Sequence, residues 1–248
     1  MFRCDATAAT GWGHISRCLA LAEAFQEQGW RTVVAGCFDD SAHGIIVSTG
    51  SLARRLAATV NTRDDAVCTA SLLREASPDL LVCDSYAADR QYLDSLRYGP
   101  AKMTLFDDFG RWAGYPCGAI LNFTIGSAGL AYQPDGRLLL LGPAYFPARK
   151  RLRESRKSRP NAKTAPTERI LVALGGNDDR GLSQLVLAAL KPSAGARDVR
   201  VVTGARNSDA DMIGRMLSGF GHDSRYAHGL PDLAEEYAWA DCCVSGGG

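Results

Sequence analysis

Short, nearly continuous apolar runs recur along this chain, and each is followed by a turn and then by a helical pattern. The clearest runs are "DLLVCD" at 79–84, "KMTLFDD" at 102–108 and "ERILVALGG" at 168–176. Strands are nearly continuously apolar when helices cover both faces of their sheet, as is usual for parallel strands. Stretches such as "ISRCLALAEAFQEQG" supply the helices, since their apolar residues recur every three or four positions. The pattern therefore predicts an α/β fold with parallel, Rossmann-like sheets.

A basic, polar segment divides the chain. It covers 148–166 and reads "ARKRLRESRKSRPNAKTAP", after which the strand–helix pattern starts again. We expect an N-terminal Rossmann-like domain at 1–147, a basic linker at 148–166 and a second, nucleotide-binding Rossmann-like domain at 167–248. The linker contains no aromatic residues and the whole chain has a net charge of +1. These features favour a solvated segment over a nucleic-acid surface.

Composition excludes several other classes. No basic flank precedes an apolar run at the N-terminus, and no run approaches the roughly 20 apolar residues that span a bilayer. We expect a cytoplasmic protein, monomeric or weakly oligomeric, without membrane insertion. The eight cysteines form no C-x-x-C pair and lie away from the histidines. They are expected to be buried free thiols, including those of the apolar run "DCCVS", and neither a metal nor a cofactor is expected.

The stretch "GWGHISR" at 11–17 is the first candidate functional site. Its glycines let the backbone approach a ligand, and it opens a long helix whose positive end favours anions. The third glycine of a dinucleotide fingerprint is absent. His14 stands at the start of this helix, where a neutral imidazole could serve as a general base or the ring could simply pack. Gly13 and Arg17 are expected to contact substrate.

Two more glycine turns follow strands of the second domain. "ALGGNDD" contains Gly175, Gly176 and Asp178, and the chain reaches Gly246, Gly247 and Gly248 after "CCVS". Such turns point backbone N–H groups at diphosphates, but they are also a common way to leave a strand. We expect these six residues to bind the nucleotide or its diphosphate.

Polar residues at strand ends complete the candidate site. Asp5 is expected either to orient His14 or Arg17 or to form a buried ion pair. Asp84 and Tyr86 end one strand, Asp107 and Asp108 the next, and Asn122 a third. Of these, Asp5, Tyr86, Asp108 and Asn122 are expected to bind substrate, although the paired carboxylates could equally cap the next segment. The other three histidines are expected at the surface.

Seven segments of the chain are informative because of the order in which they occur: "FRCDAT", "GWGHISRCLALA", "CDSY", "LFDDFG", "ILN", "GPAYFPAR" and "ALGGNDD". With these segments in this order, the chain resembles the PseG/SpsG-like nucleotide-sugar hydrolases. The resemblance implies two Rossmann-like domains in the GT-B arrangement of MurG-type glycosyltransferases. It further implies metal-independent hydrolysis of a UDP-linked amino-deoxy sugar at its anomeric carbon, as in pseudaminic acid biosynthesis. The catalytic histidine of the family falls on His14, and a substrate-contacting tyrosine falls on Tyr86.

Two alternatives stay open: a GT-B glycosyltransferase acting on a nucleotide-sugar, and a non-catalytic nucleotide-sugar binding remnant. The second is suggested because family members continue beyond the "SGGG" turn, which implies an incomplete second domain with weak UDP affinity. The run at 242–244 is expected to be a central strand buried on both faces, so the missing units would leave apolar surface exposed.

Overall fold

The computed structural model describes residues 1–7, 10–97, 102–133, 135–157, 167–175, 178, 180–193, 195, 197–204, 207, 209–230 and 232–246. The chain divides into two compact units, Met1–Lys150 and Arg151–Gly248. Both are built from parallel strands and helices.

The first unit alternates strands and helices over most of its length. Its elements are β1 (Phe2–Cys4), α1 (Gly13–Glu27), β2 (Val33–Gly36), α2 (Asp40–Ser48), β3 (Leu52–Arg55), α3 (Arg63–Ala76), β4 (Leu80–Asp84), α4 (Arg90–Ser95), β5 (Lys102–Phe106), β6 (Ala119–Asn122) and β7 (Leu138–Leu141). The strands form one parallel sheet in the order β3-β2-β1-β4-β5-β6-β7. The order reverses between β1 and β4, and ligands of open α/β sheets bind at the carboxyl ends of the strands flanking such a point.

Helices cover both faces of this sheet, as the apolar strands require. On one face, Ile15 and Leu19 of α1 and Ile46 of α2 pack with Phe2 and Val82. On the other face, Leu73 of α3 and Leu93 of α4 belong to a core with Leu81, Cys83 and Leu105. Successive strand residues alternate between the faces, so the side of the sheet on which a polar residue lies follows from its register. Gly36 is required where β2 passes β1, because a Cβ there would lie 1.8 Å from the carbonyl oxygen of Cys4.

The second unit is smaller. Its elements are α5 (Lys150–Lys157), β8 (Arg169–Ala173), α6 (Leu182–Leu190), β9 (Asp198–Thr203), α7 (Ala210–Leu217), β10 (Arg225–His228), α8 (Ala234–Trp239) and β11 (Cys242–Ser245). The sheet is parallel, with the order β10-β9-β8-β11. The helix α5 occupies the first part of the segment expected to be a basic linker, and 158–166 lie outside the described residues.

Several local expectations were wrong. The pattern of Arg54 to Ala58 predicts a short helix, but Leu52–Arg55 is the outermost strand of the large sheet, and its two arginines lie on that exposed edge. Cys242 and Cys243 were expected to be buried thiols, but both are exposed in β11, which among the described strands pairs only with β8. Cys68 is exposed as well, while Cys4, Cys18 and Cys83 are buried as expected.

Candidate functional site

The end of β1 and the start of α1 lie beside the end of β4, at the point where the strand order reverses. Cys4 pairs in register with Asp84, the last residue of β4. Asp84 shares the face of Val82, against which α1 packs, so its carboxylate points at the first turn of that helix. The fold thereby brings His14 and Arg17 to a carboxylate that is far away in sequence.

Asp84 orients the histidine. Its Oδ1 lies 2.7 Å from Nδ1 of His14, and its side chain is only 1% exposed. A carboxylate can only accept a hydrogen bond, so Nδ1 carries the proton and the lone pair of the neutral ring is on Nε2. Arg17 Nη2 lies 3.3 Å from the same Nδ1, but both atoms are donors and the short contact with Asp84 decides the tautomer. Nε2 has no hydrogen-bond partner within the described part of the chain, and His14 is partly open to solvent.

Arg17 connects this pair to a second carboxylate. Its Nε and Nη2 donate to Asp84 Oδ2 and Oδ1 at 2.5 and 2.6 Å. Its Nη1 donates to both oxygens of Asp108, at 2.9 and 2.8 Å. Burial opposes the charge on Arg17, but the hydrogen bonds and negative charges of the two carboxylates outweigh it and raise the pKa of Arg17 above its ordinary value.

Tyr86 closes the cluster on its outer side. Its phenol donates to Asp108 Oδ2 at 2.5 Å, and its ring meets the His14 ring edge-on with centroids 4.5 Å apart. Burial, followed by the hydrogen bond to Asp108 and its charge, raises the pKa of Tyr86 to about 12, so the phenol stays a donor at neutral pH. Arg111 donates to the backbone oxygens of Tyr86 and Ala88 and so holds the loop after β4. Tyr86 is 52% exposed and is therefore accessible to a ligand.

Asp5 does not belong to this cluster. It lies on the face opposite α1 and forms a buried ion pair with Arg3, at 2.5 Å. Its carboxylate also accepts the N–H groups of Cys37 and Val60. Arg3 continues to Asp65 at 2.6 Å. Asp5 is 4% exposed, so the expectation that it binds substrate is replaced by the buried ion pair that was its alternative.

Asn122 and Asp107 are also structural. Asn122 is fully buried, donates to the hydroxyl of Tyr132 and accepts from the N–H and hydroxyl of Thr124. It shares the face of Ile120, away from α1. The expectation that it contacts substrate is therefore wrong. Asp107 caps the turn after β5 by accepting the N–H groups of Arg111 and Trp112, whereas its neighbour Asp108 faces the site.

The first glycine turn differs from its expected form in one detail. Gly11 has a φ of +69°, a conformation that favours glycine. Gly13 does not have a positive φ, and a Cβ at this position would meet open space. Gly13 is the exposed first residue of α1. No side chain among the described residues caps this helix, and its first turn contains no acidic residue.

In the second unit, Gly175 and Gly246 follow the neighbouring parallel strands β8 and β11, so both lie beyond the carboxyl ends of these strands. Asp178 has a different position from the one expected. Its two carboxylate oxygens accept the N–H groups of Leu182 and Ser183, so it caps α6 and fills the place that an anion would take there. Gly176, Gly247 and Gly248 lie outside the described residues.

The other three histidines lie at or near the surface. His43 is half-buried in α2, while His222 and His228 are exposed. Where the structure is described, no three His, Cys, Asp or Glu side chains are disposed to hold a metal ion. No helix in the same residues is long and apolar enough to cross a membrane.

Comparisons with known proteins agree on the fold. No protein-family model and no curated protein sequence matches the chain. Three solved structures resemble it over 98% of its length: MurG of Acinetobacter baumannii (13% identity, TM-score 0.58, 70% of that chain), a glycosyltransferase of Rickettsia africae ESF-5 (10%, 0.60, 71%) and UDP-N-acetylglucosamine 2-epimerase of Rickettsia bellii (11%, 0.53, 73%). At these identities the likeness concerns the fold, and it confirms the predicted α/β class with parallel, Rossmann-like sheets.

Proposed function

We propose that this chain is a glycosyl-transfer enzyme that uses a nucleotide-sugar as donor and His14 as general base. The observation that carries the proposal is the His14–Asp84 pair at the strand-order reversal, with Nε2 of the ring left open. A carboxylate that fixes the Nδ1–H tautomer and leaves Nε2 basic is the arrangement general-base catalysis needs. The solved structures support the choice of donor, since one is named a glycosyltransferase and another a UDP-N-acetylglucosamine 2-epimerase.

Nε2 of His14 removes the proton of an acceptor hydroxyl as its oxygen forms a bond to the anomeric carbon. The bond between that carbon and the phosphate oxygen breaks, and its electron pair leaves with the nucleoside diphosphate. The uncapped N-terminus of α1 offers N–H groups to developing negative charge. Tyr86, accessible beside the His14 ring, would contact the sugar.

Hydrolysis is the second candidate, in which water replaces the acceptor hydroxyl. The observation that favours it is the run "GWGHISRCLALA", which resembles the PseG/SpsG-like hydrolases. A UDP-linked amino-deoxy sugar is the donor that this resemblance implies. The catalytic group and the bond broken are the same for both candidates.

One assay separates these candidates. UDP-linked amino sugars are incubated in H₂¹⁸O with and without hydroxyl acceptors, and released UDP and the position of ¹⁸O are measured. Transfer requires the acceptor, whereas hydrolysis proceeds without it and places ¹⁸O on the sugar. His14→Asn should lower either rate about 10²–10⁴-fold, and His43→Asn is the matched control. Label in the phosphate, or full turnover by His14→Asn, would contradict the proposal. UDP binding without turnover would support the non-catalytic alternative.

A further inference from the structure

Arg17 stands in the helix that a phosphate-binding turn would open, and its charge suggests a ligand for diphosphate. The structure leaves it little freedom for that role. Each of its three guanidinium nitrogens already donates to a carboxylate, two to Asp84 and one to Asp108. Its side chain is only 12% exposed. Four contacts with carboxylates therefore occupy most of its five N–H donors.

The guanidinium also lies against two aromatic rings. Its central carbon lies 4.7 Å from the ring centroid of Phe106 and 5.6 Å from that of Phe123. Cation–π contacts of this kind help to orient an arginine, and a lysine lacks the planar guanidinium that makes them here. Phe106 at the end of β5 and Phe123 just after β6 therefore help to orient the guanidinium nitrogens that bind Asp84.

The local charge also disfavours an anion. One guanidinium faces two carboxylates, so the group is net negative while His14 is neutral. Asp84 is almost fully buried, and a buried carboxylate needs compensation by a cation or several hydrogen bonds. Arg17 supplies that compensation on both oxygens of Asp84 and so orients the carboxylate that accepts from His14 Nδ1.

We propose that Arg17 is a positioning residue, which holds the carboxylate of Asp84 aimed at His14, and that it does not bind the diphosphate. The inference rests on the proposed function for its catalytic consequence, but its structural part stands on the protein alone. If Arg17 is lost, Asp84 loses the two N–H donors that orient it, and its carboxylate is no longer held as the acceptor for Nδ1 of His14. The arrangement in which Nδ1 carries a proton and Nε2 a lone pair is then no longer fixed.

The first measurement needs no substrate. Long-range ¹H–¹⁵N spectra of the imidazoles report which nitrogens are protonated, and His14→Asn assigns the signals of His14. We expect the Nδ1–H form in the wild type at neutral pH, its loss in Arg17→Gln, and partial recovery in Arg17→Lys, which restores charge without the fork. Arg55→Gln, at an exposed pair with Asp40, is the matched control. Unchanged His14 signals in Arg17→Gln would overturn the inference. If Arg17→Gln fails to fold, Arg17→Lys is compared with the wild type. Unchanged His14 signals in Arg17→Lys would then show that the guanidinium is not needed, which contradicts the inference.

The second measurement distinguishes positioning from phosphate binding. UDP is titrated calorimetrically into the wild type, Arg17→Lys and Arg17→Gln. We expect affinities within about threefold of one another, while turnover falls by about 10²-fold or more without a matching rise in KM. A tenfold or greater loss of UDP affinity with kcat retained would make Arg17 a phosphate ligand. A wild type that neither binds UDP nor turns over sugar would refute the proposed function, while the imidazole spectra would still decide the inference.

Discussion

His14 and Asp84 are 70 residues apart in the chain, and Nδ1 of the one lies 2.7 Å from Oδ1 of the other. The contact exists because β4 pairs directly with β1, and α1 packs on the face to which Asp84 points. A backbone register, rather than a local turn, therefore creates the candidate acid–base pair.

Replacement of Asp84 tests whether that pair matters for chemistry. Asp84→Asn removes the charge that fixes the tautomer of His14 and leaves Arg17 with one carboxylate. We expect turnover to fall about 10²–10⁴-fold while UDP affinity is kept. Steady-state kinetics and calorimetry on the same preparations measure both. Asp40→Asn, at a 95% exposed carboxylate, should change neither, and a mild kinetic effect of Asp84→Asn would argue against an oriented base.

Asp5 should behave in the opposite way. Asp5→Asn breaks a buried ion pair with Arg3, and loss of one partner of such a pair costs about 3–5 kcal/mol of unfolding free energy. Turnover per folded molecule should be unchanged, because Asp5 lies on the face away from α1. Denaturant unfolding curves measure the loss of stability, and assays under conditions where the variant is fully folded measure its turnover. A stable Asp5→Asn protein with a raised KM would return Asp5 to the substrate site.

The raised pKa of Tyr86 makes a prediction about pH. With a pKa of about 12, the phenol stays protonated through the range in which an enzyme is normally assayed. Tyr86→Phe should therefore lower kcat/KM without changing the shape of its pH profile between about pH 6 and pH 10. An alkaline limb present in the wild type and absent from Tyr86→Phe would contradict this. The same shift favours the folded state fully below the ordinary value of about 10, and this stabilisation is lost as pH rises through about 12.

Asp178 tests the reassignment from nucleotide ligand to helix cap. Asp178→Ala removes the acceptor of two N–H groups at the start of α6 and should cost about 1 kcal/mol of unfolding free energy. Asp178→Asn keeps an acceptor and tolerates the positive φ of this position, so it should cost less. UDP affinity should not weaken in either variant, because a carboxylate repels diphosphate. A clear loss of affinity would restore its expected role.

The fold was largely predictable because strands such as Leu80–Asp84 and Arg169–Ala173 are apolar enough to be recognised alone. The edge strand Leu52–Arg55 was missed because its exposed arginines remove the apolar signal. Within the candidate site, His14 and Tyr86 were predicted from motifs, and the structure places their rings side by side. The choice between Asp5 and Asp84 as partner of His14 depended on strand order and on which face each residue occupies. Neither is visible before the sheet is assembled.

The pairing of Cys4 with Asp84 has a consequence for how the protein folds. During synthesis β1 is made first, and both of its partner strands follow it in the chain. Its pairing with β4 closes a loop of about 80 residues, and such non-local pairing is slow. A slip of one residue in β4 would turn Asp84 to the opposite face and bury the wrong side chain beside His14. The tautomer of a single imidazole would thus report whether the central pair of strands has reached its native register, before any substrate is added.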